Sequence, residues 1–322
     1  MRAAFEHLSA GFGKIEGTLG SEPAAILWMI MSGSTYFVML CYTKLNAGKI
    51  NSIQIQLYRG VLCFIFLYLI TSINKISRRV DDRRVFKLLI LRNFLACLHN
   101  VYQFVALRYV RISLIATVNM TGPIIICFLD SLFYKTKYTL QDKVLTGTNI
   151  FGVMLVANPT MFTNMFSSSS DFDSQQSTSL FELMMVCIQL CFVSIWAYAM
   201  IIVKELRGLN TMIVAMPFGI ILALASSAFL LSEGDITDIS FGTGIEIVVY
   251  IGIAGFLCQI ASMRGMQIGK TGKASIFINT PVLWGFLFEI FYYGENPNVV
   301  SLIGSVIVAV SSVMLTLSKT KK

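Results

Sequence analysis

The chain has 322 residues, of which 56% are hydrophobic and only 13% charged, with a formal net charge of +8. An average soluble domain is about 25% charged and about 45–50% apolar, so this composition excludes an ordinary water-soluble fold. The positive charge does not mark a nucleic-acid partner: Lys and Arg fall in short clusters between apolar runs, and no basic face or binding motif is visible.

A helix crossing a bilayer needs roughly 20 consecutive apolar residues, and such runs recur down the whole chain. In chain order they are expected at residues 23–43, 53–74, 87–108, 111–135, from 143 to about 159, 182–204, 207–233, 245–264, 273–294 and 297–318. Lipid offers backbone groups no hydrogen-bond partner, so each run is expected as a helix. With the N-terminus placed inside, 19 Lys and Arg fall on the inner segments and 4 on the outer loops. The cytoplasmic excess of positive charge then predicts both termini on the cytoplasmic side. The expected fold is an all-α membrane protein with ten transmembrane helices in two inverted five-helix repeats. Its divisions are a cytoplasmic tail (1–22), a first repeat (23–162), a polar Ser-rich outside loop (163–179), a second repeat (180–318) and a basic tail (319–322).

The inversion follows from an internal repeat. Residues 116–134, "ATVNMTGPIIICFLDSLFY", align with residues 274–292, "ASIFINTPVLWGFLFEIFY". Ala116 meets Ala274, Pro123 meets Pro281, Phe128-Leu129 meets Phe286-Leu287, and Phe133-Tyr134 meets Phe291-Tyr292. Five spans per half force the second half to enter the membrane from the opposite side, an architecture found in many secondary transporters.

No cleavable signal peptide pattern is read at the N-terminus. Phe5, Leu8, Phe12, Ile15 and Leu19 have helical spacing, which suits a short helix on the membrane surface. Four Gly in the same stretch suit a loose tail instead, and both readings stay open. All seven Cys lie in apolar runs without a CxxC pair, so no metal site and no cofactor are expected.

The segment from residue 88 to 162 carries an Arg early in the third helix and an "A-L-x-Y" exit. A small-residue stretch ending in Pro, then "Y-K-x-K-Y-T-L-x-D", then "G-x-x-x-x-G-V-x-L" follow. In these features it resembles an EamA domain of the drug/metabolite transporter superfamily, and within it the G-like branch of solute carrier family 35. The resemblance extends over about residues 26–318 and is weaker in the second half. It implies a central cavity lined by the first four helices of each half, with peripheral fifth and tenth helices. It also implies a metabolite as cargo. No clear nucleotide-sugar signature is seen near the ninth and tenth helices.

An ionisable side chain at mid-membrane costs about 2.5–3.5 kcal/mol on insertion scales, so it calls for a partner or a cavity. Arg92, Ala96, His99 and Gln103 stand at i, i+4, i+7 and i+11 and make one polar stripe on the third helix, flanked by Asn100. The alternative is a buried network that only holds helices together. Arg59 is read either as an anion contact or as a side chain snorkelling to the outer interface. The other substrate-contact candidates are Tyr36 on the first helix, Asn119 on the fourth, Gln189 and Trp196 on the sixth, Gln259 on the eighth, and Asn279 and Trp284 on the ninth. Polar side chains also join helices to one another, so the structural reading stands beside each. Asp130 is a candidate for coupling or for an ion pair with Arg92, and Pro123 and Pro281 are candidate hinges.

These residues predict a secondary transporter of a small polar metabolite, with Arg59, Arg92 and His99 favouring an organic anion. The alternatives are a nucleotide-sugar transporter of the secretory pathway and a non-transporting scaffold or sensor. Two His and no carboxylate pair within a span argue against an enzyme. Expected partners are the metabolite and the lipid bilayer, with a homodimer through peripheral helices also considered. Plasma membrane and endomembrane are both compatible with the sequence.

Overall fold

The computed structural model describes residues 20–107, 109–110, 115, 118–119, 121–134, 139–157, 173–233, 236–269, 280–294 and 299–318. Every regular element among them is helical. In chain order the helices are α1 (Ser21–Leu45), α2 (Ser52–Ile73), α3 (Arg83–Ala106), α4 (Gly122–Tyr134), α5 (Leu140–Ala157), α6 (Asp173–Glu205), α7 (Thr211–Glu233), α8 (Phe241–Ile268), α9 (Thr280–Tyr293) and α10 (Val299–Ser318). Among the described residues, α1, α2, α3, α6, α7 and α8 contain segments long and apolar enough to cross a membrane. The chain is therefore an integral, multi-pass membrane protein.

Local signals set several ends. The Asn51 side chain accepts a hydrogen bond from the Ile53 N–H at 3.0 Å and caps α2, and Asp82 does the same for α3 through the Arg84 N–H at 2.7 Å. A π-helical turn, Ile247–Ile253, sits inside α8. It is followed by Gly255, where an added Cβ would stand 3.2 Å from both Arg59 Cγ and Met39 Sδ.

The packing has a regular order. The most extensive contacts are α2 on α7, α1 on α8, α5 on α10 and α3 on α6, followed by α3 on α7, α4 on α6, α2 on α8 and α1 on α9. Exchange α1–α5 with α6–α10 and this set maps onto itself: α1·α8 becomes α3·α6, α3·α7 becomes α2·α8, and α4·α6 becomes α1·α9. The α2·α7 and α5·α10 pairs map onto themselves. That invariance is the mark of a pseudo-two-fold relation between tandem halves.

The two self-paired crossings are close because glycine lines them. A Cβ on Gly60 of α2 would stand 2.7 Å from Ala223 N and 2.8 Å from Gly219 O of α7. A Cβ on Gly152 of α5 would stand 2.9 Å from Gly304 O of α10. Between apolar helices in lipid the attraction comes from such close backbone approach and from interhelical hydrogen bonds, since lipid is as apolar as the side chains. Asn149 supplies two of those bonds, from Nδ2 to Val308 O (3.0 Å) and to Ser311 Oγ (2.9 Å). Asn149→Ala is expected to lower stability in detergent by about 0.6–1.7 kcal/mol, the range for interhelical hydrogen bonds in membranes. An unfolding titration checks this.

Candidate functional site

α3 has two faces. Leu91, Phe94 and Leu98 are exposed on one side, while Arg92, Asn93, Ala96, His99, Asn100 and Gln103 are buried on the other. Its mean hydropathy of 1.2 is the lowest of the six spanning helices, against 2.3 for α6. α3 is thus the polar member of the bundle, and its polar face looks inward.

That face borders a cavity. α1 contributes Ser32, Tyr36 and Leu40, and α2 contributes Arg59. α3 contributes Arg92, Ala96, His99 and Asn100. Asn119 stands just before α4, Trp196 and Met200 come from α6, and Cys258, Gln259 and Ser262 come from α8. Both halves therefore build the wall.

Arg59 is 2% exposed and its side chain turns inward. Its Nη1 donates to Asn100 Oδ1 at 2.8 Å, and the guanidinium lies 5.6 Å from the Phe104 ring centroid and 5.4 Å from that of Phe218. Arg92 is 1% exposed, and its Nη1 donates to Asn93 Oδ1 at 2.7 Å. Each asparagine is itself fixed. Asn100 Nδ2 donates to Ala96 O at 2.7 Å, and Asn93 Nδ2 donates to Leu89 O at 2.7 Å and to Val214 O at 3.0 Å. Among the described residues neither guanidinium has a carboxylate partner, and Nε of each is buried without a hydrogen bond. His99 Nδ1, Gln103 Nε2 and Gln259 Nε2 are buried and unpartnered in the same region. Apart from His99 Nδ1, which serves either way, these are N–H donors.

The remaining candidates fall into four groups. Tyr36, Trp196 and Asn119 share the wall with the arginines; the Trp196 ring centroid is 5.9 Å from that of His99. Gly122 makes room for that indole, since a Cβ there would stand 2.8 Å from Trp196 Cζ3. Gln103 and Gln189 stand behind the wall: Gln103 Oε1 accepts from the Tyr36 hydroxyl, and Gln189 Nε2 donates to Asn119 Oδ1 at 2.8 Å. Trp284 stands apart from the cavity, 41% exposed, with Nε1 donating to Ser34 Oγ at 3.3 Å. Asn279 and the side chains of Pro123, Asp130 and Pro281 lie outside the described residues.

Leu40, Met200 and Cys258 line the cavity without a sequence signal, because apolar wall residues look like any other core residue. Asn93 was also missed. Its spacing of seven from Asn100 puts the two on one helix face, and that spacing was the available clue.

Several contacts between the halves lie at the end of the cavity formed by the C-terminal parts of α1 and α3 and the N-terminal parts of α2, α6 and α8. Tyr42 stacks on Tyr250 at 5.5 Å and donates to Glu246 Oε2 at 3.4 Å. Tyr102 stacks on Phe192 at 4.5 Å and donates to Met185 O at 3.0 Å. Gln54 brackets Thr237, accepting from its N–H at 3.0 Å and donating to its carbonyl at 2.8 Å.

A tandem helical bundle with a polar cavity between its halves defines a class of membrane transporter. The chain belongs to the EamA-like transporter family, whose pattern matches twice, at residues 23–158 and 181–317. It is similar to solute carrier family 35 member G1 of Homo sapiens, 22% identical over 294 residues, covering 89% of this chain and 77% of that protein. That relative is of the G-like branch that the motifs resemble. An uncharacterized membrane protein of Saccharomyces cerevisiae is 24% identical over 283 residues, covering 82% of this chain and 66% of the yeast protein. An uncharacterized transporter of Helicobacter pylori is 20% identical over 298 residues, covering 90% and 93%. A solved crystal structure shares the fold with a TM-score of 0.67 at 11% identity, covering 93% of this chain and 99% of its own. These family relations indicate a membrane transporter rather than an enzyme.

Proposed function

We propose that the protein is a secondary transporter of a small organic anion, working by alternating access between two inverted five-helix repeats. The observation that carries this reading is the pair of buried guanidiniums on the cavity wall, without a carboxylate partner among the described residues. A buried charge left uncompensated is costly, so a site that keeps two of them is built for a counter-charge that arrives with the ligand. The unpartnered amide donor of Gln259 on the same wall acts in the same sense. Uptake of radiolabelled carboxylates and phosphate esters into proteoliposomes tests it. Concentrative or exchange flux of an anion is expected; flux of cationic or neutral solutes alone overturns the charge assignment.

The ten helices would all span the membrane, with both termini on the cytoplasmic side. The segment between α2 and α3 carries much of the positive charge that favours this orientation. A cysteine at the exposed Ser77 of that segment, in a background without other cysteines, is expected to react with an impermeant thiol reagent from the cytoplasmic side. Reaction only from the opposite side reverses the topology.

In that orientation Gln54, Tyr42 and Tyr102 close the outer end. Gln54→Ala removes both bonds to Thr237 and is expected to shift the population toward an outward-open state. Cys258 on the cavity wall is a native reporter: with it as the sole cysteine, its labelling from outside is expected to accelerate about tenfold, the effect of about 1.4 kcal/mol. Unchanged labelling would mean that the Gln54 bracket holds a loop and not a gate.

A further inference from the structure

The two arginines are held in the same way. Each donates from Nη1 to an asparagine of α3, and each asparagine returns its own Nδ2 to the carbonyl four residues earlier, Leu89 for Asn93 and Ala96 for Asn100. The amide oxygen is thereby fixed toward the guanidinium, and the guanidinium is oriented before any ligand arrives. Asn93 and Asn100 are seven residues apart on one face, so the two brackets are separated by roughly 10 Å along the helix axis. Between them, among the described residues, the wall presents no carboxylate, Lys or Arg: it presents Ala96, the His99 imidazole and the Trp196 indole.

We infer that the cavity grips its anion at two points, so that the cargo is an elongated molecule with an anionic group at each end and an uncharged middle. The inference rests on the anion reading above and sharpens it. A single carboxylate or phosphate can reach only one bracket and leaves the other guanidinium uncompensated. A molecule of matching length satisfies both, and Nε together with the remaining guanidinium N–H groups provides the donors at each end. Length becomes the selective property: a short dianion spans only part of the interval, and a long one must fold against Trp196.

The test uses the purified full-length protein and a thermal-shift titration, because a ligand of the native state raises its stability. The probes are linear dicarboxylates from malonate to azelate, the monomethyl ester of each, and alkane bisphosphates of the same lengths. A window of preferred length is expected, within which the doubly charged probe binds at least tenfold more tightly than its monoester. A window seen for bisphosphates alone would assign phosphate as the recognised group, and a window for dicarboxylates alone would assign carboxylate. Arg59→Gln and Arg92→Gln are each expected to reduce the two-ended probe to the affinity of its monoester. Arg59→Lys and Arg92→Lys, which keep the charge, are expected to retain part of the preference and to control for folding. Monoesters that bind as tightly as their diacids, or affinity that does not vary with length, overturn two-point binding and leave the anion reading standing. Failure of every anionic probe to bind overturns both.

Discussion

Arg92→Gln is expected to cut anion flux about ten- to hundredfold while leaving the ligand-free protein at least as stable as the parent. The flux term follows from losing a hydrogen-bonded charge contact, worth about 1.5–3 kcal/mol, where each 1.4 kcal/mol is about tenfold in affinity. The stability term has the opposite sign. Arg92 is 1% exposed, and among the described residues its side chain bonds to a neutral asparagine. Such a charge strains the ligand-free protein where desolvation is not matched by an opposite charge, and none stands beside it among the described residues. Gln removes the charge and keeps a polar amide near the position of Nε. Proteoliposome flux and melting of the ligand-free protein, measured on the same preparation, decide the matter. If flux and melting temperature fall together, Arg92 is a structural strut.

Gly60→Ala is expected to be the most damaging Gly-to-Ala change among the described glycines. The added carbon meets backbone atoms of α7, Ala223 N at 2.7 Å and Gly219 O at 2.8 Å, so relief requires moving a whole helix. Overpacking costs about 1–3 kcal/mol, and contacts with backbone on two residues place this case at the upper end. The gain of about 1 kcal/mol in helix propensity for Ala over Gly does not offset it. Gly219→Ala acts from the other side, with its Cβ 2.8 Å from Gly60 O and 2.9 Å from Phe64 N. Since either change parts the same two helices, the double substitution should cost clearly less than the sum. Additive losses would show that the two glycines serve separate contacts. Denaturant titration in detergent reads all three variants.

The polar stripe was legible in the sequence because ionisable and amide residues in an apolar run are rare and their helical spacing can be read directly. Arg92, His99 and Asn100 were placed on one face by that spacing, and they share the cavity wall. Arg59 was ambiguous: its place in the second span fits both an interfacial and an inward side chain. The Phe104 and Phe218 rings and the space at Gly255, which take it inward, come from three other helices or their ends. The Gly60 and Gly219 crossing was illegible for a similar reason. Each glycine is ordinary in its own helix, and only their meeting across α2 and α7 gives them weight. Gln189 and Trp284 show the limit in the other direction. Both are polar groups on apolar helices, yet one bonds to Asn119 behind the wall and the other to Ser34 away from it.

The exchange pattern of the helix contacts also bears on how the molecule is made. Its most extensive interfaces all join α1–α5 to α6–α10. When the ribosome has delivered only the first half, α1, α2, α3 and α5 lack the helices they are shaped to meet, and Arg59 and Arg92 have no finished interior. The newborn half is an incomplete surface in lipid, dependent on the insertion machinery or a membrane chaperone until its sister follows. A chain cut between the repeats should be cleared by quality control within minutes. The same half, co-expressed with its complement as a separate polypeptide, should persist and assemble.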